Sequence, residues 1–178
     1  MQYRDSKSWL DTPKKILKVN HAGEFGAVNI YRAQILVGKL LRRDYVPLLE
    51  SFLKDEKRHL EIFWTEIRRR GGIKCKSYWL CGAGGWFMGI VSAMLGKHGV
   101  MACTWAVESV VTDHLKAQLV YLASKNDQSA YEAVNSILED ERNHRDLGCR
   151  EGGTRWLYGP LRFCISLFTE ATIRFGMR

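Results

Sequence analysis

Asp55-Glu56-Lys57-Arg58-His59 and Asp140-Glu141-Arg142-Asn143-His144 are two copies of one pattern, 85 residues apart. A Glu and a His three apart lie on one face of a helix, so each copy aims a carboxylate and an imidazole the same way. At an offset of 84, Ala22-x-Glu24 matches Ala106-x-Glu108, and Arg32-Ala33-Gln34 matches Lys116-Ala117-Gln118. Each half of the chain thus supplies one Glu and, about 32 residues later, a Glu-x-x-His.

Helical patterns surround all four places. Pro13, after Thr12 as N-cap, opens one that runs to about Arg43. Pro47 opens a second, to Arg70, stopped by Gly71-Gly72 and carrying Arg68 to Arg70 where a helix C-terminus favours cations. Two more span roughly 99–124 and 128–147, separated by the polar turn Ser124 to Gln128, and Pro160 opens a last one. Sustained period-two alternation is absent, so the chain reads as all-α. Short links join the first two helices and the pair over 99–147, and the long uncharged stretch Gly72 to His98 lies between the pairs. Two helical hairpins with one long crossover make a ferritin-like four-helix bundle, here with an additional C-terminal helix. The expectation is one domain over 1–178, with a core bundle over about 13–147, a crossover over about 73–98 and a C-terminal helix over about 160–176.

The faces then decide the chemistry. Glu24 shares its face with Leu17, Val28, Tyr31 and Ile35, and Glu108 with Met101, Val111, Leu115 and Leu119. Glu56 and His59 sit among Leu49, Phe52 and Phe63; Glu141 and His144 sit beside Val134, Ile137 and Leu138. Four uncompensated buried carboxylates would cost several kcal/mol each or be forced to protonate. Two divalent cations remove that cost, because four negative charges balance two M²⁺ and the two imidazoles complete the coordination. Mixed carboxylate and imidazole ligation favours iron or manganese over zinc. One Glu-x-x-His alone reads as a solvated helix face; two, each preceded by a Glu on an apolar face, read as a metal site.

Other residues carry less. His114, six after Glu108, reads as a base beside the site or as a satisfied core histidine, and His21 as a neighbour of the site or a local cap. Tyr31 reads as packing, and Lys14-Lys15, Arg42-Arg43 and Arg68 to Arg70 as solvated helix ends.

Composition bounds the rest. With 178 residues, 46% hydrophobic and 26% charged, the chain can bury a core, and disorder is excluded. Five cysteines without a CxxC spacing argue against a disulfide framework or a thiolate zinc site and fit a reducing compartment. Met1 to Lys18 is polar and basic, so no signal peptide is expected there. The net charge of +8 suits nucleic acid or an anionic membrane surface. Ser77 to Gly96 carries no charge over 20 residues, the length of a span, but five glycines dilute it. A span would also separate Glu56 and His59 from Glu108 by a bilayer, which one metal cluster forbids. The stretch therefore reads as a glycine-rich interfacial segment anchored by Trp79, Trp86 and Phe87. A basic amphipathic C-terminal segment (Trp156, Leu161, Ile165 and Phe168, with Arg155, Arg162 and Arg174) is expected to add a second anchor; the alternative for both segments is that they merely cover the bundle core.

The strings Val19-Asn20-His21-Ala22-Gly23-Glu24 and Asp55-Glu56-Lys57-Arg58-His59 are joined by Leu95-Gly96-Lys97, Ala102-Cys103-Thr104, Ala106-Val107-Glu108 and Glu141-Arg142-Asn143-His144. On these the chain resembles the demethoxyubiquinone hydroxylases, the di-iron monooxygenases of ubiquinone biosynthesis, from about Lys18 to the C-terminus. The resemblance implies that Glu24 and His59 ligate one iron, Glu108 and His144 the other, and that Glu56 and Glu141 bridge both. His114 matches a histidine that the family places after the third ligand. Some members carry a Glu directly after that ligand and a Tyr directly after that histidine, where this chain has Ser109 and Leu115. The implied reaction hydroxylates a ring carbon of a polyprenylated demethoxyubiquinol with O₂, one oxygen atom entering the ring and the other leaving as water. The implied partners are an electron donor, a membrane surface, and a second copy or other enzymes of ubiquinone biosynthesis, with no nucleic acid. The implied location is peripheral: the cytoplasmic face of the inner membrane in a bacterium, or the matrix face of the mitochondrial inner membrane in a eukaryote. A ferritin-like tRNA-modifying hydroxylase and an iron-storage or peroxide-scavenging protein are the alternatives. The first does not account for the uncharged crossover, and the second favours a soluble shell.

Overall fold

The computed structural model describes residues 12–178, so most of the stretch read as lacking a signal peptide, residues 1–11, lies outside the described residues. Helices α1 (Pro13–Leu40) and α2 (Val46–Arg69) form one hairpin, and α4 (Gly96–Ser124) and α5 (Gln128–Gly148) form the other. The Thr12 hydroxyl accepts the Lys15 amide at 3.2 Å, and the Asp127 carboxylate accepts the Ala130 amide at 3.2 Å, so α1 and α5 both start on side-chain caps. The four helices make the ferritin-like bundle. Buried apolar side chains sit at both ends of its axis: Leu17, Phe63, Leu122 and Ile137 at one, Tyr31, Leu49, Phe52 and Met101 at the other. Each fully buried Leu or Phe contributes about 1.5–3 kcal/mol, which offsets what lies between the two clusters.

The crossover takes a form that the sequence reading left open. It is a 17-residue helix, α3 (Tyr78–Met94), packed lengthwise on α1. Beyond Tyr78 at its start, its buried positions are Cys81, Gly82, Gly85, Gly89, Ser92 and Ala93, a stripe of small residues at helical spacing. A Cβ on Gly85 would lie 2.3 Å from the Gly26 carbonyl oxygen, and one on Gly89 would lie 2.5 Å from that of Ile30. The glycines are therefore a contact seam rather than helix breakers. Gly96 to His98, expected in the crossover, belong to α4, and Gly96 makes the corner between the helices at φ +76°, a conformation suited to glycine.

A π-turn (Cys149–Gly153) and a short 3₁₀ turn (Trp156–Tyr158) lead into α6 (Gly159–Met177). α6 runs antiparallel to α3: the Tyr158 hydroxyl reaches the Leu95 carbonyl at one end, Phe168 covers Gly84, and Gly176 meets Ser77 at the other. Most of the apolar stripe expected to face a membrane is turned around, although its first member, Trp156, is 86% exposed. Ile165 is buried, and Leu161 and Phe168 are half-buried against the bundle, while Phe163, Leu167 and Phe175 face out. Both faces of α6 are apolar, so period alone does not choose between them. No helix among the described residues is long and apolar enough to cross a membrane.

Candidate metal centre

The six residues singled out by spacing converge between the two apolar clusters. Glu24 comes from α1, Glu56 and His59 from α2, Glu108 from α4, and Glu141 and His144 from α5; all six are buried. Their ligand atoms form two groups of four, each within 4.8 Å: Glu24, Glu56, His59 and Glu141, then Glu56, Glu108, Glu141 and His144. Glu56 and Glu141 belong to both groups.

The imidazoles have a fixed sense. His59 Nδ1 lies 2.9 Å from Glu141, 3.7 Å from Glu24 and 3.9 Å from Glu56. His144 Nδ1 lies 3.2 Å from Glu56 and 3.7 Å from Glu141. The Nε2 atoms point away, His59 to Asp140 at 3.2 Å and His144 to Asp55 at 3.5 Å. Each Asp that opens one copy of the repeated pattern thus holds the His that closes the other. A carboxylate on the outer nitrogen fixes the ring and leaves Nδ1 as the inward donor atom. Arg58 pairs with Asp140 and shares the His59 Nε2 edge. Spacing alone did not assign roles to Asp55 and Asp140, although the repeat contains both.

The electrostatics of the site favour binding of positive charge. Burial, followed by the repulsion of Glu141 and Glu56, pushes Glu108 well above the usual carboxylate range. Burial likewise raises Glu24, and burial with Glu141 raises Glu56. Burial opposes protonation of His59, but the Glu141 and Glu24 carboxylates outweigh it and hold the imidazole up at about 12; Glu141 and Glu56 hold His144 at about 10. Glu141, between the two imidazoles, is held down at about 2 despite its burial. Both Glu56 carboxylate oxygens, Glu141 Oε2 and both Nδ1 atoms are buried without a hydrogen-bond partner. Buried donor and acceptor atoms of this kind are normally satisfied. Carboxylates and imidazoles turned inward in this way fit two divalent cations.

The remaining readings divide. The Tyr31 hydroxyl donates to Glu108 Oε1 at 3.5 Å, and burial with the Glu108 charge pushes the phenol well above its usual range. Tyr31 therefore packs against Phe52 and also touches the site, beyond the packing role expected of it. His21 lies outside both groups, stacked between Trp64 and Tyr78 at 5.1 and 5.2 Å, and burial with the nearby Lys74 pushes it down to about 4. His114 lines a pocket, partly open to solvent, together with Glu24, Glu56, Glu108 and Glu141, and its Nε2 lies 2.6 Å from Glu170 on α6. A second, apolar cavity, also partly open to solvent, lies beneath α3 and α6 and shares Val19, Gly23, Ala27, Val107, Val111 and Ile173 with the first.

The family described as "Ubiquinone biosynthesis protein COQ7" matches residues 11–176. A Dictyostelium discoideum protein named "NADPH-dependent 3-demethoxyubiquinone 3-hydroxylase, mitochondrial" is 33% identical over 171 residues, 93% of this chain and 76% of that protein. A Mus musculus protein of the same name is 33% identical over 141 residues, 75% of this chain and 62% of its own length. A Rhodospirillum rubrum protein named "3-demethoxyubiquinol 3-hydroxylase" is 34% identical over 140 residues, covering 78% and 64%. The chain thus spans under two thirds of the length of two of these relatives. With buried carboxylates and imidazoles at the positions the repeat picks out, and a family match over nearly all its length, this chain belongs to the COQ7 family of ubiquinone biosynthesis proteins.

Proposed function

We propose that this chain hydroxylates a ring carbon of a demethoxyubiquinol with O₂, using two iron ions held by Glu24, Glu56, His59, Glu108, Glu141 and His144. The observation that carries the reading is the sharing of Glu56 and Glu141 between two buried groups of four ligands beside an apolar cavity. Iron, when bound, supplies the redox chemistry that activates O₂. The chain's own residues do the rest. Asp140 and Asp55 keep the Nδ1 atoms of His59 and His144 turned inward. Val107, Val111, Ile173 and the small residues Gly23 and Ala27 leave an apolar slot that fits a quinol ring and excludes water. His114, on the same wall, is a base that moves protons beside the reacting centre. We read residues 1–178 as one domain, its bundle, crossover helix and C-terminal helix serving one site.

The substrate's polyprenyl tail belongs in a bilayer, and the outer layer suits a membrane surface. Trp79, Phe87 and Met94 on α3 and Phe163 and Leu167 on α6 are all more than half exposed, over an antiparallel helix pair covering the apolar cavity. A patch of this kind is rare on a freely soluble protein. The wild-type protein is expected to co-sediment with anionic vesicles, less at high salt, and Trp86→Ser with Phe87→Ser to release it with its iron retained. A wild type indifferent to vesicles sinks the membrane reading alone.

The reaction itself is tested in a strain lacking the gene. Demethoxyubiquinone should accumulate, the wild-type gene should restore ubiquinone, and Glu108→Ala should not. Normal ubiquinone in the deletion strain would overturn the assignment.

A further inference from the structure

Five ionisable side chains line the cavity at the metal-binding groups, and four of them, Glu24, Glu56, Glu108 and Glu141, belong to those groups. The fifth is His114. Its Nε2 lies 2.6 Å from Glu170 Oε2, and Glu170 Oε1 accepts the Arg174 Nε–H at 2.6 Å. Side-chain exposure rises along this line, from 11% at His114 to 30% at Glu170 and 67% at Arg174. It is a graded polar path from solvent to the cavity wall. Around it α6 offers only apolar or hydroxyl side chains to the cavities: Phe168, Thr169, Thr172 and Ile173. Burial raises the Glu170 carboxyl, but His114 and Arg174 outweigh it and keep it below its usual range. A half-buried carboxylate on an apolar face is retained where a partner needs it.

The proposed reaction creates such a need. Ring C–H, O₂, two electrons and two protons give ring C–OH and water; the electrons come from a reduced-nicotinamide-class donor, and the protons must cross an apolar wall.

We propose that Glu170 is the positioning residue for His114 in proton uptake, orienting its imidazole and passing solvent protons to Nε2. In its Nδ1–H tautomer the imidazole takes a proton at Nε2 and releases one from Nδ1 toward the cavity; this leaves the Nε2–H form, which the Glu170 carboxylate holds between turnovers until tautomer exchange frees Nε2 for the next proton. The inference rests on the hydroxylase reading above and adds to it a residue on another helix, 56 positions away.

The test uses iron-loaded full-length protein and the variants Glu170→Gln, Glu170→Ala and Glu170→Asp. Iron content and the KM for quinol should match wild type, while kcat falls about 10–100-fold in Gln and Ala and less in Asp. Added acetate should restore part of the kcat of Glu170→Ala, since a small carboxylic acid can deliver the proton. In metal-free protein, ¹⁵N NMR should show His114 held in the Nε2–H form by wild type and released by Glu170→Gln, a readout independent of turnover. An active wild type with unchanged kcat in Glu170→Gln overturns the proposal alone. Loss of kcat together with iron, without rescue by acetate, overturns it in favour of a purely structural role. A wild type with no hydroxylase activity sinks the underlying reading first, and this proposal with it.

Discussion

The two halves of the repeat agree at the metal groups and part company one to two turns later. Glu24 and Glu108, Glu56 and Glu141, and His59 and His144 take equivalent places, each His held by the other half's Asp. Beyond Glu24 the first half continues with Ile30-Tyr31; at the same offset the second has His114-Leu115. The phenol from the first half reaches Glu108, whereas the imidazole from the second lines the cavity and ties to α6. The inner face also differs, with Gly23 and Ala27 in one half against Val107 and Val111 in the other. The shared carboxylates and imidazoles gather charge in one place, and the unmatched residues send a phenol to Glu108 from one half and an imidazole to the cavity wall from the other.

The largest expected effect tests the agreement. Glu56→Ala and Glu141→Ala should each lose most of about two iron atoms per chain, because each carboxylate serves both groups. Glu24→Ala and Glu108→Ala should each lose about half. Metal analysis of the purified variants decides it, and full iron in both Glu56→Ala and Glu141→Ala would break the equivalence and the site together.

Next in size is the cover over the first half. Gly85→Ala gains about 1 kcal/mol of helix propensity. It also drives a Cβ to 2.3 Å from the Gly26 carbonyl oxygen, a backbone atom that cannot swing away. Overpacking of this kind costs about 1–3 kcal/mol, so the net is a loss of up to about 2 kcal/mol, a fall of several degrees in Tm. Gly23→Ala, with nothing within 4 Å of its Cβ, should not lose stability but should narrow the cavity and raise the KM for quinol. A Gly85→Ala protein as stable as wild type would mean that the seam is looser than its contacts imply.

Much of this was legible in the chain before the fold was known. Glu24, Glu56, His59, Glu108, Glu141 and His144 could be read because helical spacing fixes which side chains share a face, and a buried carboxylate is meaningful wherever it falls. The crossover was harder. Gly82, Gly85 and Gly89 weaken a helix taken alone, and only α1 lying against them, with the Phe25 ring on Gly82 and backbone carbonyls on Gly85 and Gly89, makes them favourable. The inward side of α6 was hidden because Leu161, Ile165 and Phe168 on one face balance Phe163 and Leu167 on the other. Glu170 had no local signal, since its partner lies on a helix that the chain reaches only through α5 and two short turns. Asp55 and Asp140 were in view as part of the repeat; their crossed pairing needed the geometry.

A smaller effect comes from the tie between the halves at the bundle end, where Arg70 bonds Glu66 and both Asp127 oxygens at 2.6–2.7 Å. Hydrogen bonds from Arg69 and Arg70 hold Glu66 at about 2, and those from Arg70 hold Asp127 at about 2. Folded-state values below the unfolded ones mean stability that is present above about pH 4 and lost as pH falls through about 2. After discounting for solvent screening, Glu66→Gln should cost about 1 kcal/mol at pH 7 and nothing near pH 2. Denaturant melts across that range check it, and a pH-independent difference would assign the loss to packing instead.

The smallest effect bears on the sharpest difference between the halves. At 3.5 Å the Tyr31–Glu108 bond is at the long limit for a hydroxyl and a carboxylate, so its contribution belongs at the low end of the hydrogen-bond range, about 0.5 kcal/mol. Tyr31→Phe keeps the ring against Phe52 and His144 and removes only that oxygen. Iron content should therefore stay near two per chain, with Tm within about 2 °C of wild type. What should change is the inequality of the two metal positions, because Glu108 receives a phenol hydroxyl in wild type, and Leu115, the counterpart of Tyr31, has none to offer Glu24. Mössbauer spectra of iron-loaded wild type should resolve two iron environments, and those of Tyr31→Phe should bring them closer together. Identical spectra for the two proteins would mean that the hydroxyl does not distinguish the halves, leaving the His114 side as the one place where the repeat breaks for chemistry.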